Sequence, residues 1–260
     1  MTDIYEYYRR YDESTRLTRD RLHRSEYLVM IHLLDRYLSP PPLTILDCCA
    51  GCGIYSFPLA RKGYTVTAGD LIPAHADYLR KHGKALCDVY RGSVCDLSRF
   101  PDECFDVVLN FGAMYHLQEE AARQTALREC LRVLRPGGLF AYTYETLQSM
   151  LLEQYRQAFS CMEPEKRVRL YQALDDCRRT HCRDCFYGMT QEEIERIPAE
   201  YGLQTVSQAC IYSVHYPFYR EVNDFSKAEY RRFIDTLTAV CEEESVVRYA
   251  MHGVYFGRKG

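Results

Sequence analysis

Three observations predict an α/β fold built on a seven-stranded, mostly parallel sheet with helices on both faces. First, strand-like apolar runs alternate with amphipathic helical segments between residues 43 and 144, and that alternation implies βαβ units. Second, a glycine turn at Gly51 and Gly53 separates a buried strand from a helix. Third, Pro136-Gly137-Gly138 stops a long helix just before another apolar run, as proline and glycine do between elements.

Residues 1–24 hold Tyr5, Tyr7, Tyr8 and Tyr11 among acids and arginines and are expected to form a short helical arm without a core of its own. From Ser25 to Leu38, Leu28, Ile31, Leu34 and Leu38 recur at helical spacing, and Pro40-Pro41-Pro42 sets the boundary because a proline run cannot continue a helix. Leu43 to Asp47 reads as the first strand, Tyr64 to Gly69 as the second and Pro73 to His82 as a helix with proline in its first turn. Ala85 to Val94 suits a third strand, Phe105 to Asn110 a buried fourth, Glu119 to Leu134 a long helix and Leu139 to Tyr144 a fifth strand. Residues 146–190 break the alternation and read as a helical insertion over the sheet. Thr190-Gln191-Glu192-Glu193 has the form of a capping box. Thr205 to Ser213 is expected as the sixth strand, Ser226 to Arg248 as a helix and Gly253 to Arg258 as a final edge strand. The chain therefore divides into an arm (1–42), a ligand-binding core (43–145), the insertion (146–190) and a return to the core (191–260).

Composition narrows the function. A net charge of −3 offers no basic stripe for nucleic acid. No apolar run approaches the roughly 20 residues of a membrane span. The N-terminal MTDIYEYYRRYDESTR has no apolar signal region, so the 13 cysteines are expected to be reduced thiols in a cytoplasm. Cys177, His181, Cys182 and Cys185 could supply a zinc shell, but paired-knuckle spacing is absent and no metal is expected.

The chemistry-bearing residues fall at the carboxyl ends of the strands, where ligands of open α/β sheets bind. They are Asp47 before the glycine turn, Asp70 placed to accept both ribose hydroxyls, Asp96 placed to accept an adenine amino proton, and Asn110 to His116 after strand four.

This set resembles the class I S-adenosylmethionine-dependent methyltransferases, whose Rossmann-like core carries acid-x-Gly-x-Gly-x-Gly. Here the motif stands as Asp47-Cys48-Cys49-Ala50-Gly51-Cys52-Gly53, and LRVLRPGG, HGVYFGRK and YYRRYDESTRL are also similar to family segments. The resemblance implies S-adenosylmethionine as cofactor, S-adenosylhomocysteine as product, and a small-molecule acceptor reached by in-line attack. It implies cofactor contacts at Tyr11, Arg16, Asp47, Cys49, Ala50, Gly51, Gly53, Tyr55, Asp70, Leu71, Cys95, Asp96, Leu97, Asn110 and Phe111. His116 is a candidate general base, or a cap for the next helix, and Tyr115 a pocket-lining or core residue. Cys49 departs from the pattern, standing where the first glycine is usual. That substitution keeps a non-catalytic cofactor-binding member as the main alternative. A nicotinamide oxidoreductase fits less well, since Ser56 occupies the third glycine position of its motif, and a nucleic-acid methyltransferase lacks its Pro-Pro-aromatic motif after strand four.

Overall fold

A computed structural model describes residues 3–212 and 221–260. Strands β1 (Thr44–Asp47), β2 (Thr65–Asp70), β3 (Asp88–Arg91), β4 (Phe105–Asn110) and β5 (Leu134–Thr146) pair in parallel in the order β3-β2-β1-β4-β5. β9 (His252–Lys259) runs antiparallel beside β5, and β8 (Leu203–Tyr212) antiparallel beside β9. These seven strands are the expected sheet. A hairpin of β6 (Cys182–Arg183) and β7 (Phe186–Met189) adds two more, with β7 pairing only Glu145 and Thr146 at the far end of β5.

Apolar alternation explains the layers. β4 reads FDVVLN with Val107 and Leu109 facing one way and Val108 the other. Val108, Phe140 and Tyr142 belong to the core under α5 (Glu120–Val133), while Val107, Leu109 and Phe256 belong to the opposite core under α2 (Arg21–Tyr37). α2 buries Leu22, Val29, Met30, Leu33 and Leu34 on one stripe, and the Asp20 carboxylate accepts the His23 N–H at its start. α4 (Pro73–His82) occupies the range expected for it.

Several elements differ from the sequence reading for identifiable reasons. β3 covers only Asp88–Arg91, the stretch that pairs with β2. β5 begins at Leu134, because Pro136-Gly137-Gly138 forms a bulge inside the strand rather than a turn before it. A Cβ at Gly138 would lie 2.9 Å from the Asp106 carbonyl oxygen, so the bulge needs glycine there. β9 is interior, its residues Gly253 to Gly257 buried, and β8 is the edge instead. Ser213, the last residue assigned to that sixth strand from sequence, lies outside the described residues. The helix expected from Ser226 to Arg248 divides into α9 (Lys227–Val240) and α10 (Glu244–Val247), with buried Cys241 between them accepting the Cys210 N–H through its carbonyl.

The insertion contains α6 (Leu147–Ser160) and α7 (Pro164–Thr180) before the hairpin, and Thr190 and Glu193 form the capping box of α8 (Gln191–Glu200). The arm begins with α1 (Ile4–Arg10), which buries no residue. It is nevertheless anchored, since Leu17 is buried in the same cluster as Val29 and Ile45. No helix among the described residues is long and apolar enough to cross a membrane.

Leu33 is fully buried where α2 meets the sheet. Leu33→Ala should destabilise the fold by about 2–5 kcal/mol through lost transfer energy and a residual cavity, measured as a lowered midpoint in urea unfolding.

Candidate functional site

The carboxyl ends of β1, β2 and β4 meet at the glycine turn. Gly51 and Gly53 have φ of +54° and +79°, a region that favours glycine. The turn is held by the Gly51 N–H, which donates to Asp70 Oδ2 at 2.8 Å, and by the Ala50 N–H, which donates to the Gly69 carbonyl at 2.9 Å. Asp70 Oδ1 accepts from the Ile72 N–H at 2.8 Å and His75 Nδ1 at 3.1 Å. Asp70 thus ties β2, the glycine turn and α4 together, and Oδ2 keeps acceptor capacity on the pocket side. Asp47 is buried, which pushes its carboxyl up to about 7 against the opposing hydrogen bond from Ser56 Oγ at 2.5 Å.

Two cavities open above this edge. The narrower, of about 170 Å³, lies on the glycine turn and takes Ile4, Tyr8, Glu13 and Arg16 of the arm as part of its wall. The wider, of about 770 Å³, lies between the arm, α6, the hairpin and the start of β9. Tyr8, Glu13, Arg16 and Tyr115 line both.

Polar links hold this common wall. His116 Nδ1 lies 3.1 Å from the Cys185 carbonyl oxygen and donates to it, so Nε2 accepts the Tyr8 hydroxyl at 2.9 Å. Burial pushes the His116 pKa down to about 4, which keeps the ring neutral. Arg16 donates to Glu13 Oε1 at 2.9 Å and Glu26 Oε1 at 3.1 Å. Glu26, on α2, also accepts His252 Nδ1 at 3.0 Å. Burial acts to raise the Glu26 carboxyl, but Arg16 and His252 overcome it and hold the group down to about 2.

The structure brings most of the candidate residues together. Asp47, Cys49, Ala50, Gly51, Tyr55, Asp70, Leu71, Phe111 and Arg16 line the narrow pocket with Tyr115 and His116. Tyr11 borders the wide cavity instead. Gly53 lies beneath Phe57 and Leu79, and Asn110 is buried between Cys49 and Cys130. The expected contacts at Cys95, Asp96 and Leu97 lie off the narrow pocket's wall. Asp96 is exposed and caps the Ser98 N–H, the Cys95 thiol donates to the Ala122 carbonyl, and Leu97 is buried in the core. Gly92, Ser93 and Val94 line the pocket in their place. The cause is the early end of β3 at Arg91, after which the chain has turned toward α5 by residue 95.

Sequence reasoning missed Glu13, Glu26, Glu145, Phe186 and His252. Glu26 left a signal, being a carboxylate at a buried position on the apolar stripe of α2. Among the described residues no group of three or more His, Cys, Asp or Glu is arranged to hold a metal ion.

Residues 46–142 match the family model described as a methyltransferase domain. That stretch, from β1 to β5, is similar to the methyltransferase domain family. Over 111 residues it is 37% identical to a ubiquinone biosynthesis O-methyltransferase of Cereibacter sphaeroides, covering 40% of this chain and 44% of that protein. A Methylocella silvestris protein of the same name is 36% identical over 121 residues, or 44% of this chain and 46% of that one. The chain thus matches less than half the length of these curated relatives. The likeness in fold extends further: a Pyrococcus horikoshii protein superposes with a TM-score of 0.65 at 17% identity, covering 99% of this chain and 100% of that one. A Methanosarcina mazei structure described as a SAM-dependent methyltransferase gives 0.59 at 16% identity, covering 87% and 96%.

The His116 environment has a pH signature. Its folded pKa is depressed, so between about pH 4 and its ordinary value near 6.5 the unfolded chain binds the extra proton. The stabilising difference between the native chain and His116→Gln should therefore be full above about pH 6.5 and shrink as pH falls toward 4. Paired urea titrations across that window measure it, and a difference that grows toward acid would contradict the assignment.

Proposed function

We propose that the chain is an S-adenosylmethionine-dependent methyltransferase acting on a small-molecule acceptor, mainly by positioning. The observation that supports this most is the shared wall: a pocket on the glycine turn and a larger cavity meet at Tyr8, Glu13, Arg16 and Tyr115. A donor in the first and an acceptor in the second would face each other there.

The residues fit the cofactor. Gly51 takes a φ of +54°, and a Cβ there would crowd Glu13 Cγ at 3.3 Å, so glycine suits the turn against the arm. Asp70 has acceptor capacity for ribose hydroxyls, and Ser93 stands on the loop where the nucleobase end would lie. The rings of Tyr8, Tyr55, Phe111 and Tyr115 on the pocket wall suit a sulfonium cation by cation–π attraction, worth roughly 0.5–2 kcal/mol. When bound, the cofactor supplies an electrophilic methyl group. The narrow pocket, of about 170 Å³, is below the roughly 300–1,000 Å³ usual for such ligands, and the wide cavity adjoins it along the shared wall.

The chain's own part is orientation and exclusion of water. Both nitrogens of His116 are engaged, one by Cys185 and one by Tyr8. We assign it to holding the Tyr8 ring over the site rather than to proton abstraction. Tyr115, buried and shared between the cavities, fixes the boundary across which the acceptor approaches. Near-attack placement of this kind carries much of a displacement's catalysis.

Calorimetry should show S-adenosylhomocysteine binding to the native chain, and Asp70→Asn should weaken it about 10–100-fold, the effect of impairing hydrogen bonds to a charged group. Failure of the folded native chain to bind either S-adenosylmethionine or S-adenosylhomocysteine would overturn the proposal.

A further inference from the structure

The wide cavity has a chemical bias. Six carboxylates border it (Glu13, Glu26, Glu145, Glu153, Asp184 and Glu221) against three guanidiniums, Arg16, Arg156 and Arg183. Arg16 is already shared by Glu13 and Glu26, Arg156 pairs with Glu153, and Arg183 lies over the Phe186 ring at 5.9 Å to its centroid without an ion pair to Glu145. Glu145 is half-buried, unlike the exposed Asp184 and Glu221. It stands at the carboxyl end of β5 directly across from His252 on β9, and its carboxylate makes no hydrogen bond or ion pair among the described residues. Burial pushes that carboxyl above the ordinary glutamate range.

A second observation concerns His252. Its Nδ1 faces the Glu26 carboxylate, which can only accept, so Nδ1 carries the proton. In the neutral ring Nε2 then presents a bare lone pair, and this atom is buried without a hydrogen-bond partner among the described residues. A carboxylate and an imidazole nitrogen, adjacent on paired strands, both await an N–H donor.

The third observation is aromatic. Tyr7 stacks on Tyr11 at 5.5 Å between ring centroids and meets Phe186 edge-on at 5.2 Å, while Phe186 stacks on Tyr115 at 6.0 Å. All four rings border the same cavity. Ring faces and unpaired carboxylates together favour an organic cation.

We propose that the acceptor cavity recognises a small molecule bearing an ammonium group, held between Glu145, the free nitrogen of His252 and the Tyr7–Phe186–Tyr115 rings. This rests on the methyltransferase reading only for the word acceptor; the cavity's preference for a cation stands on its own residues. An ammonium there satisfies the Glu145 carboxylate and gives His252 Nε2 its missing donor. A carboxylate-bearing acceptor would instead meet an excess of like charge.

The test uses the full chain and three probes that share a phenol ring: tyramine (ammonium), 4-ethylphenol (neutral) and 4-hydroxyphenylacetate (carboxylate). Calorimetry is run with and without saturating S-adenosylhomocysteine. Tyramine should bind at least about tenfold more tightly than either analogue, one tenfold step being about 1.4 kcal/mol. Glu145→Gln should erase most of that preference while S-adenosylhomocysteine affinity stays unchanged. The same variant should melt no lower than the native chain without ligand, because it removes a carboxylate that has no partner. Equal or better binding of the neutral or anionic probe, no binding of tyramine, or an unaltered preference in Glu145→Gln would each overturn the proposal. If that variant does not fold, the ranking of the three probes on the native chain decides. Loss of S-adenosylhomocysteine binding alone, with the tyramine preference intact, would instead count against the methyltransferase reading.

Discussion

The Arg16 guanidinium between Glu13 and Glu26 is the contact on which the site's architecture depends. α1 has no fully buried residue, and apart from this ion pair the arm holds to the body through Leu17, the Tyr8–His116 hydrogen bond and the Tyr7–Phe186 ring contact. Arg16 ties the arm to α2 through Glu26, and Glu26 passes the link to β9 through His252. A buried ion pair returns little net stability, because desolvation offsets much of the attraction. Its value lies in orientation, since a buried Glu26 left without Arg16 would keep only the His252 contact to offset its charge. The arm therefore has one favourable seat, and that seat places Tyr8 against His116 and Tyr11 on the cavity rim.

Burial then sorts the titratable groups by function. Glu26 is charged because two cationic or donor partners reach it, whereas at Asp47 burial, with Asp70 nearby, outweighs the hydrogen bonds from Ser56 and the Cys49 backbone and pushes the carboxyl up to about 7. His116 is neutral for the same reason that Asp47 resists ionisation: a dry surrounding disfavours either charge. The common wall is thus a largely uncharged surface of rings, with charge concentrated at Arg16 and its two glutamates. Such a surface can hold water away from a reacting pair without itself competing for the proton.

The sheet was legible because its signals are local. β4 and α4 follow directly from FDVVLN and from a proline opening an amphipathic run. The glycine turn and Asp70 were legible too, since backbone freedom and an acid at a strand end are written in residue type. The segment after β3 was not, because the strand's end is set by pairing with β2 rather than by its own pattern. The hairpin Cys182–Met189 was hidden in helical, charged sequence, since β7 is fixed by pairing with the two-residue β6 and the tip of β5. Glu145 and His252 lie 107 residues apart and meet only through the antiparallel register of β5 and β9. No spacing in the chain announces that pairing.

Cys49 shows how a departure from a motif is judged once the backbone is known. A side chain at the first glycine position would be expensive if that residue needed a left-handed φ. It does not: Gly51 and Gly53 carry the positive φ values, and Cys49 is not among the non-glycine residues that do. Its thiol turns toward Asn110 Oδ1 at 3.7 Å, beside Cys130, where a small polarisable group fills the space between β1 and β4. The turn's shape is therefore indifferent to the substitution, and what Cys49 changes is the volume of the pocket floor. Backbone conformation separates the two glycines that the turn requires from the one position where a cysteine can stand.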